Sequence, residues 1–178
     1  MSGTEKPAVQ SSGANRPGAL AGIRVIELAD EQAEYCGLTL AGLGAEVIKI
    51  EPSTGNATRE IGPFYEDKKD HERSLFFWQY NRGKRSVALD LEQAQDAQKF
   101  ATLLESADVL LESTPKGQLE ALGFGGQALR ERFPALIQAR VTPFGDDGPW
   151  SHFQGSDLIH LALGGVVANF KIVSQCLL

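Results

Sequence analysis

Residues 23–51 read IRVIELADEQAEYCGLTLAGLGAEVIKIE, and the order of apolar and polar residues along them decides the fold. Ile23, Val25, Ile26 and Leu28 form a short apolar run of the kind a strand shows when both of its faces are covered. A polar break, ADEQ at 29–32, follows. The segment from Ala33 to Gly44 then carries Leu38, Leu40, Ala41 and Leu43 and is expected to be helical, and Val47, Ile48 and Ile50 form a second buried strand. A helix this short between two buried strands predicts a right-handed βαβ unit with a parallel strand pair.

The same alternation continues downstream. Ser86 to Leu91 reads as a strand and Gln93 to Ser106 as an amphipathic helix with Ala97, Phe100, Leu103 and Leu104 on one side; Val109 to Leu111 reads as the next strand. Gly126 to Phe133 is expected to be helical and Leu136 to Phe144 extended. FGDDGPW at 144–150 is turn-rich, and an apolar helix is expected from Asp157 to about Val167. Alternating elements of this kind imply a doubly wound α/β sheet. Between the first two units, Phe64 to Asn81 passes from a charged, solvated stretch (Glu66 to Arg73) into a short helix. Its aromatics Phe76, Phe77, Trp78 and Tyr80 are expected to pack in the core.

The chain has 178 residues and a mass of 19.2 kDa, enough for one domain with its own core. Seventeen Lys and Arg against 23 Asp and Glu leave a net charge of −6, which disfavours a broad nucleic-acid surface but allows a local basic pocket. The two cysteines, Cys36 and Cys176, make no disulfide framework or zinc-ligand spacing, so a cytoplasmic, reducing location is the simplest expectation. No apolar run suits a membrane span, and the stretch from Met1 to Pro17 lacks the core of a secretory signal and reads as a flexible lead-in. Glu51 lies where an acid would hold a ribose in a dinucleotide site. The first turn, however, has Asp30, Glu31 and Glu34 in place of GxGxxG, and these acids would repel a pyrophosphate. GxxxxGK[ST], HExxH and GxSxG are also absent.

Five longer strings are more specific: LAGIRVIELA (20–29), EYCGLTLAGLGAEVIKIEP (34–52), NRGKRSVALDL (81–91), ADVLLES (107–113) and GDDGPWSHFQGSDLIHLALGGVV (145–167). In this order and spacing the sequence resembles the family III CoA-transferases, a group with formyl-CoA and carnitine CoA-transferases and, as relatives, the α-methylacyl-CoA racemases. The resemblance implies a Rossmann-like, doubly wound, mainly parallel sheet, incomplete relative to the family's large domain, and an interlocked homodimer. It implies transfer of CoA from an acyl-CoA thioester to a small carboxylic acid. An enzyme carboxylate attacks the thioester to form a mixed anhydride, which the CoA thiolate reopens to an enzyme thioester. CoA is a substrate in this chemistry; no prosthetic group or metal is called for.

By the same resemblance, Gln32 and Ala33 line the CoA pocket, where a helix N-terminus would offer free N–H groups; as plain residues they are a polar helix cap. Leu89 and Asp90 hold the adenine end, or, without the family, simply end a strand. Ser113, Thr114 and Pro115 of ESTPKG lie against the CoA phosphates, and Lys116 supplies a point charge. Ser113 stands where Asn is common, and Ala121 where a pocket-facing Arg often sits, so phosphate binding is expected to be weaker or arranged differently. Arg82, Lys84 and Arg85 are expected chiefly to fix the turn before their strand.

Gln154, Gly155, Ser156 and Asp157 complete the expected CoA-binding set. Racemases carry His at the position of Ser156 to exchange the α-proton; a serine hydroxyl, with a pKa far above neutrality, cannot do so, which favours the transferase branch. Asp157 is expected as the N-cap of the helix it begins, and His152 and His160 as loop or helix-surface residues. The family's nucleophilic Asp is expected beyond Leu178, and residues 170–178 are unlike the family. The expected organisation is therefore a flexible segment 1–19, the family's large-domain portion 20–169 and a non-family tail 170–178. A chain truncated in this way is expected to leave apolar surface exposed. The alternatives are an acyl-CoA racemase of the same superfamily and a noncatalytic CoA-binding remnant.

Overall fold

The structure, a computed structural model, describes residues 17–166. The expected lead-in therefore lies almost wholly outside the described residues, as do the tail 170–178 and Cys176. The described chain forms β1 (Arg24–Leu28), α1 (Glu34–Gly42), β2 (Glu46–Glu51), α2 (Leu75–Asn81), β3 (Arg85–Ala88), α3 (Ala94–Glu105), β4 (Val109–Glu112), α4 (Gln118–Ala121), α5 (Gly126–Arg132), β5 (Ile137–Arg140) and α6 (Asp157–Leu163). All four strand pairings are parallel, and the order is β3-β2-β1-β4-β5. The expected α/β class and parallel βαβ units are both present.

Period-2 geometry sorts the central strands into two faces. Ile26, Ile48, Ile50 and Leu110 face α3, α4 and α5, where they meet Phe100, Leu104, Leu119, Phe124 and Leu129. Phe100 and Phe124 meet edge to face, with ring centroids 4.9 Å apart. Val25, Val47 and Leu111 face the other way, toward Ala33, Leu40 and Ala41 of the α1 region.

The α1 face also buries charge. Glu27 and Lys49 are partners in the β1–β2 register, and Lys49 Nζ lies 3.1 Å from Glu27 Oε1 and 2.8 Å from Glu34 Oε1 and donates to Ala29 O at 2.7 Å. Lys84, from the turn before β3, lies 2.8 Å from Glu27 Oε2 and donates to Glu34 O (2.9 Å) and Asn81 Oδ1 (3.0 Å). The side chains of all four ions are at most 1% exposed, so two carboxylates and two ammoniums balance where water cannot screen them. A β-carbon at Gly37 would overlap Glu27 Oε2, which is why α1 crosses this cluster on a glycine. Lys84 thus fixes the turn before its strand, as expected of NRGKRS.

Three expectations require correction. The aromatics of α2 are not core: Phe76, Phe77 and Tyr80 are half-buried and Trp78 is 45% exposed. They pack on one another and on residues around the charged stretch instead, with Phe76 against Tyr80 at 4.6 Å, Trp78 against Tyr65 at 5.7 Å and donating to Glu72 O at 3.0 Å, and the Arg59 guanidinium 3.8 Å above the Phe77 ring. Strand β3 ends at Ala88 rather than Leu91, because Asp90 turns the chain into α3. Strand β5 is also shorter than the expected extended run to Phe144. Val141 N makes the last bond to β4, at Glu112 O, and Pro143 has no N–H to continue the ladder.

Candidate functional site

In a sheet of this order the connections reverse direction between β1 and β4, and a crevice opens beyond the carboxyl ends of those strands. Here Leu28, Ala29 and Asp30 face Ser113, Thr114 and Pro115, with Pro52 and Asn56 closing a cavity of about 170 Å³. Asp30 and Ser113 clamp its rim. The Asp30 N–H donates to Ser113 Oγ (2.9 Å), the Ser113 hydroxyl donates to Asp30 Oδ1 (2.6 Å), and the Ser113 N–H donates to Leu28 O (3.2 Å). Asn56 Nδ2 and Lys49 Nζ both donate to Ala29 O, so the buried ion cluster fixes the carbonyl at the mouth of the crevice.

Beyond Asp30 the surface continues into a cleft of about 600 Å³ formed by Glu31, Gln32, Thr142, Ser156, Asp157 and His160, with Val141, Pro143 and Gly155. The fold therefore brings Gln32 together with Gly155, Ser156 and Asp157, residues more than a hundred positions apart in the chain, and sets Ser113, Thr114 and Pro115 in the adjoining crevice. The other expected residues lie elsewhere. Ala33 and Leu89 are buried in the two cores, and Asp90 accepts from Glu92 N at 3.1 Å at the start of α3, beyond the edge strand. Gln154 lines an apolar cavity of about 430 Å³ with Phe144, Trp150, Phe153, Ile159 and Leu163. Lys116 Nζ is turned onto Asp146 O at 2.7 Å and Ser151 Oγ at 3.2 Å.

Two local expectations change. The first turn of α1 does not present free N–H groups at Gln32 and Ala33. Gln32 N donates to Asp30 Oδ1 (3.1 Å), and Ala33 N and Glu34 N donate to Asp30 O. Asp30 thereby forms the Asx-type turn that starts the helix. The N-cap of α6 is Ser156, not Asp157. Ser156 is extended (φ −150°, ψ 163°) and its hydroxyl accepts from Ile159 N at 3.4 Å, while Asp157 is the first helical residue. His160 lies on the helix surface as expected, and it also forms a wall of the cleft. It is exposed on the helix, and its Nε2 lies 3.2 Å from Pro143 O. Its spacing of one helical turn from Ser156 sets the two side chains on the same face of α6.

Glu51, at the end of β2, is fully engaged rather than poised for a ribose. Burial alone would raise its carboxyl, but hydrogen bonds from Arg59 (2.7 and 3.0 Å), Ser86 and the Asn56 N–H (3.0 Å) outweigh it and bring the group from 4.5 down to about 2. Burial lowers Lys84 from its usual value, with Glu27 opposing. Among the described residues, no group of His, Cys, Asp and Glu has the arrangement of a metal site, and no helix is long and apolar enough to cross a membrane.

A parallel sheet of order 3-2-1-4-5 with a crevice at the carboxyl ends of β1 and β4 defines a doubly wound α/β domain. Residues 20–170 match the model of CoA-transferase family III, and the chain belongs to that family. It is 39% identical over 142 residues to succinyl-CoA:(R)-benzylsuccinate CoA-transferase subunit BbsE of Thauera aromatica, covering 80% of this chain and 35% of that protein. It is 38% identical over 153 residues to mouse alpha-methylacyl-CoA racemase, covering 84% of this chain and 35% of the relative. The crystal structure of a CAIB/BAIF family protein from Brucella suis superposes with a TM-score of 0.78 at 35% identity, over 84% of this chain and 40% of that one. The chain thus spans a little over a third of the length of the relatives it matches.

Proposed function

We propose that residues 20–169 are the CoA-binding part of the large domain of a CoA-transferase. The whole protein would move CoA from an acyl-CoA thioester to a small carboxylic acid through an enzyme carboxylate. The observation that carries this reading is the meeting of Gln32 with Gly155, Ser156 and Asp157 in one cleft, whose Glu31 is the chain neighbour of Asp30 in the Ser113–Pro115 crevice at the reversal of strand order. The cleft's volume of about 600 Å³ is within the range of small-molecule sites. None of the cleft carboxylates is assigned as the nucleophile. Asp30 is spent on Ser113 and the α1 turn, and Asp157 starts a helix whose cap is its neighbour. Segments 1–19 and 170–178 are read as lying outside the domain. A cytoplasmic, interlocked homodimer is the proposed context; two cysteines without a framework spacing suit a reducing compartment, and the exposed Leu158 and Leu163 of α6 suit burial against a second copy.

The transferase branch is favoured over the racemase branch by Ser156, whose hydroxyl is a helix cap and not a proton shuttle. The one observation on the other side is His160 in the same cleft. Calorimetric titration of the chain with CoA and acetyl-CoA tests the binding reading: saturable binding, weakened by Ser113→Leu, is expected, and no binding overturns it. Two further assays separate the branches. Transfer of CoA from succinyl-CoA to dicarboxylic acceptors reports the first, and deuterium uptake at the α-carbon of a 2-methylacyl-CoA in D2O reports the second, with no uptake expected.

A further inference from the structure

Asn56 belongs to no motif, yet several segments around the crevice meet in it. The turn after β2, closed by Gly55 N donating to Pro52 O at 2.8 Å, delivers it to the lining of the cavity beyond the ends of β1 and β4. Its polar groups are then spent on different segments. The N–H donates to Glu51 Oε2 (3.0 Å) at the end of β2, and Oδ1 accepts from Thr58 N (3.0 Å) and so caps the short 3-10 turn Ala57–Glu60. Nδ2 donates to Ala29 O (2.9 Å) in the exit from β1. From Ala29 the contacts return on themselves: its carbonyl also accepts from Lys49 Nζ at 2.7 Å, Lys49 lies 2.8 Å from Glu34 Oε1, and Glu34 Oε1 accepts from the Thr58 hydroxyl at 2.7 Å. Ala29, Lys49, Glu34 and Thr58 are buried, whereas Asn56 is half-buried in the crevice lining. Ala29 leads directly into Asp30, which clamps Ser113 on the opposite wall.

We propose that Asn56 is a positioning residue of the ligand crevice: its amide donor holds the Ala29–Asp30 segment where Asp30 clamps Ser113, so that the crevice is shaped before a ligand arrives. The ligand's identity rests on the CoA reading; the fixing of the segment does not. Two atoms of one side chain divide the work. Oδ1 serves the fold through the 3-10 turn, whereas Nδ2 serves the crevice through Ala29 O. A serine at this position keeps a capping oxygen and loses the amide donor, with no change of charge.

Calorimetric titration with CoA, urea unfolding and amide hydrogen exchange, each on the full chain and on Asn56→Ala, Asn56→Ser and Ser113→Ala, test the proposal. Asn56→Ala is expected to lower both stability and CoA affinity. Asn56→Ser is expected to recover most of the stability while its affinity stays about fivefold below the parent, the factor that one hydrogen bond supplies. In a Ser113→Ala background, where the clamp is already open, the same Asn56→Ser change is expected to alter affinity by less than about twofold. Exchange of the Asp30 and Ser113 amides is expected to quicken in Asn56→Ser, while that of Ile26 and Leu110 in the centre of the sheet follows global stability. Affinity that recovers together with stability in Asn56→Ser, a fivefold loss in both backgrounds, or unchanged exchange at Asp30 and Ser113 overturns the positioning role. Faster exchange at those two amides in a chain that binds no CoA sustains the fixing of the segment and removes the CoA reading.

Discussion

The corner built from β1, β2 and α1 and the end built from β5 and α6 treat charge and apolar surface in opposite ways. In the first, four ions are buried and every one finds an opposite charge, while the aliphatic residues around them are sealed. In the second, the apolar side chains face outward: Leu158 is 69% and Leu163 60% exposed, and Trp150 and Phe153 stand half out of the surface. The first corner is complete within the described chain. The second is a surface whose residue types suit burial against something else.

The largest effect should come from breaking the buried cluster. Lys49→Met leaves Glu27 and Glu34 short of a cation and is expected to cost about 3–5 kcal/mol in urea unfolding, and Gly37→Ala should also destabilise strongly, since its methyl group displaces the Glu27 carboxylate. Phe100→Ala in the opposite core provides a purely apolar standard of about 3–5 kcal/mol; a loss at Lys49 well below it would mean that water reaches the ions.

Next in size is an acid effect. The Glu51 carboxyl is depressed to about 2 from 4.5, so its stabilisation is fully present above pH 4.5 and is lost as the pH falls toward 2. Chemical denaturation at a series of pH values should show a decline on the order of 2 kcal/mol across that window, and Glu51→Gln should flatten it. The smallest effect on stability belongs to α6. Leu158→Glu with Leu163→Lys is expected to change the unfolding free energy by less than about 0.5 kcal/mol while reducing self-association in light scattering. A large loss of stability would show that this helix is packed in solution and would erase the contrast.

Much of the first corner was legible because strands covered on both faces are apolar almost throughout: Val25, Ile26, Val47, Ile48 and Ile50 announce themselves. The charges between them did not. Glu27 and Lys49 read as ordinary polar positions in sequence, and only the register that sets them side by side, with Lys84 arriving from a distant turn, makes them a buried network. The α2 aromatics misled for a related reason. Their composition says core, but the cores on both sheet faces are filled by aliphatic residues and by Phe100 and Phe124, which leaves the α2 rings to cover Arg59 and Tyr65 at the surface. At the candidate site the residue types at 32 and 113–116 were readable one at a time. That Gln32 would meet Ser156 while Lys116 turned away toward Asp146 depends on contacts between segments that local patterns do not encode. The cap of α6 fell one residue before the expected position, an ordinary uncertainty between adjacent capping-competent side chains.

The placement of β1 at the centre of the sheet governs the order in which the molecule can be assembled as it is synthesised. Its pairing with β2 needs only the next two dozen residues, but its other edge stays open until β4 emerges, and the Asp30–Ser113 clamp joins positions 83 residues apart. During that interval the ribosome displays first a two-stranded ribbon and then, once β3 pairs with β2, a three-stranded sheet, each with β1 as an open apolar margin, the period in which a nascent chain is most exposed to mispairing and to chaperone capture. The crevice beyond β1 and β4 consequently cannot form until Ser113 to Pro115 have emerged.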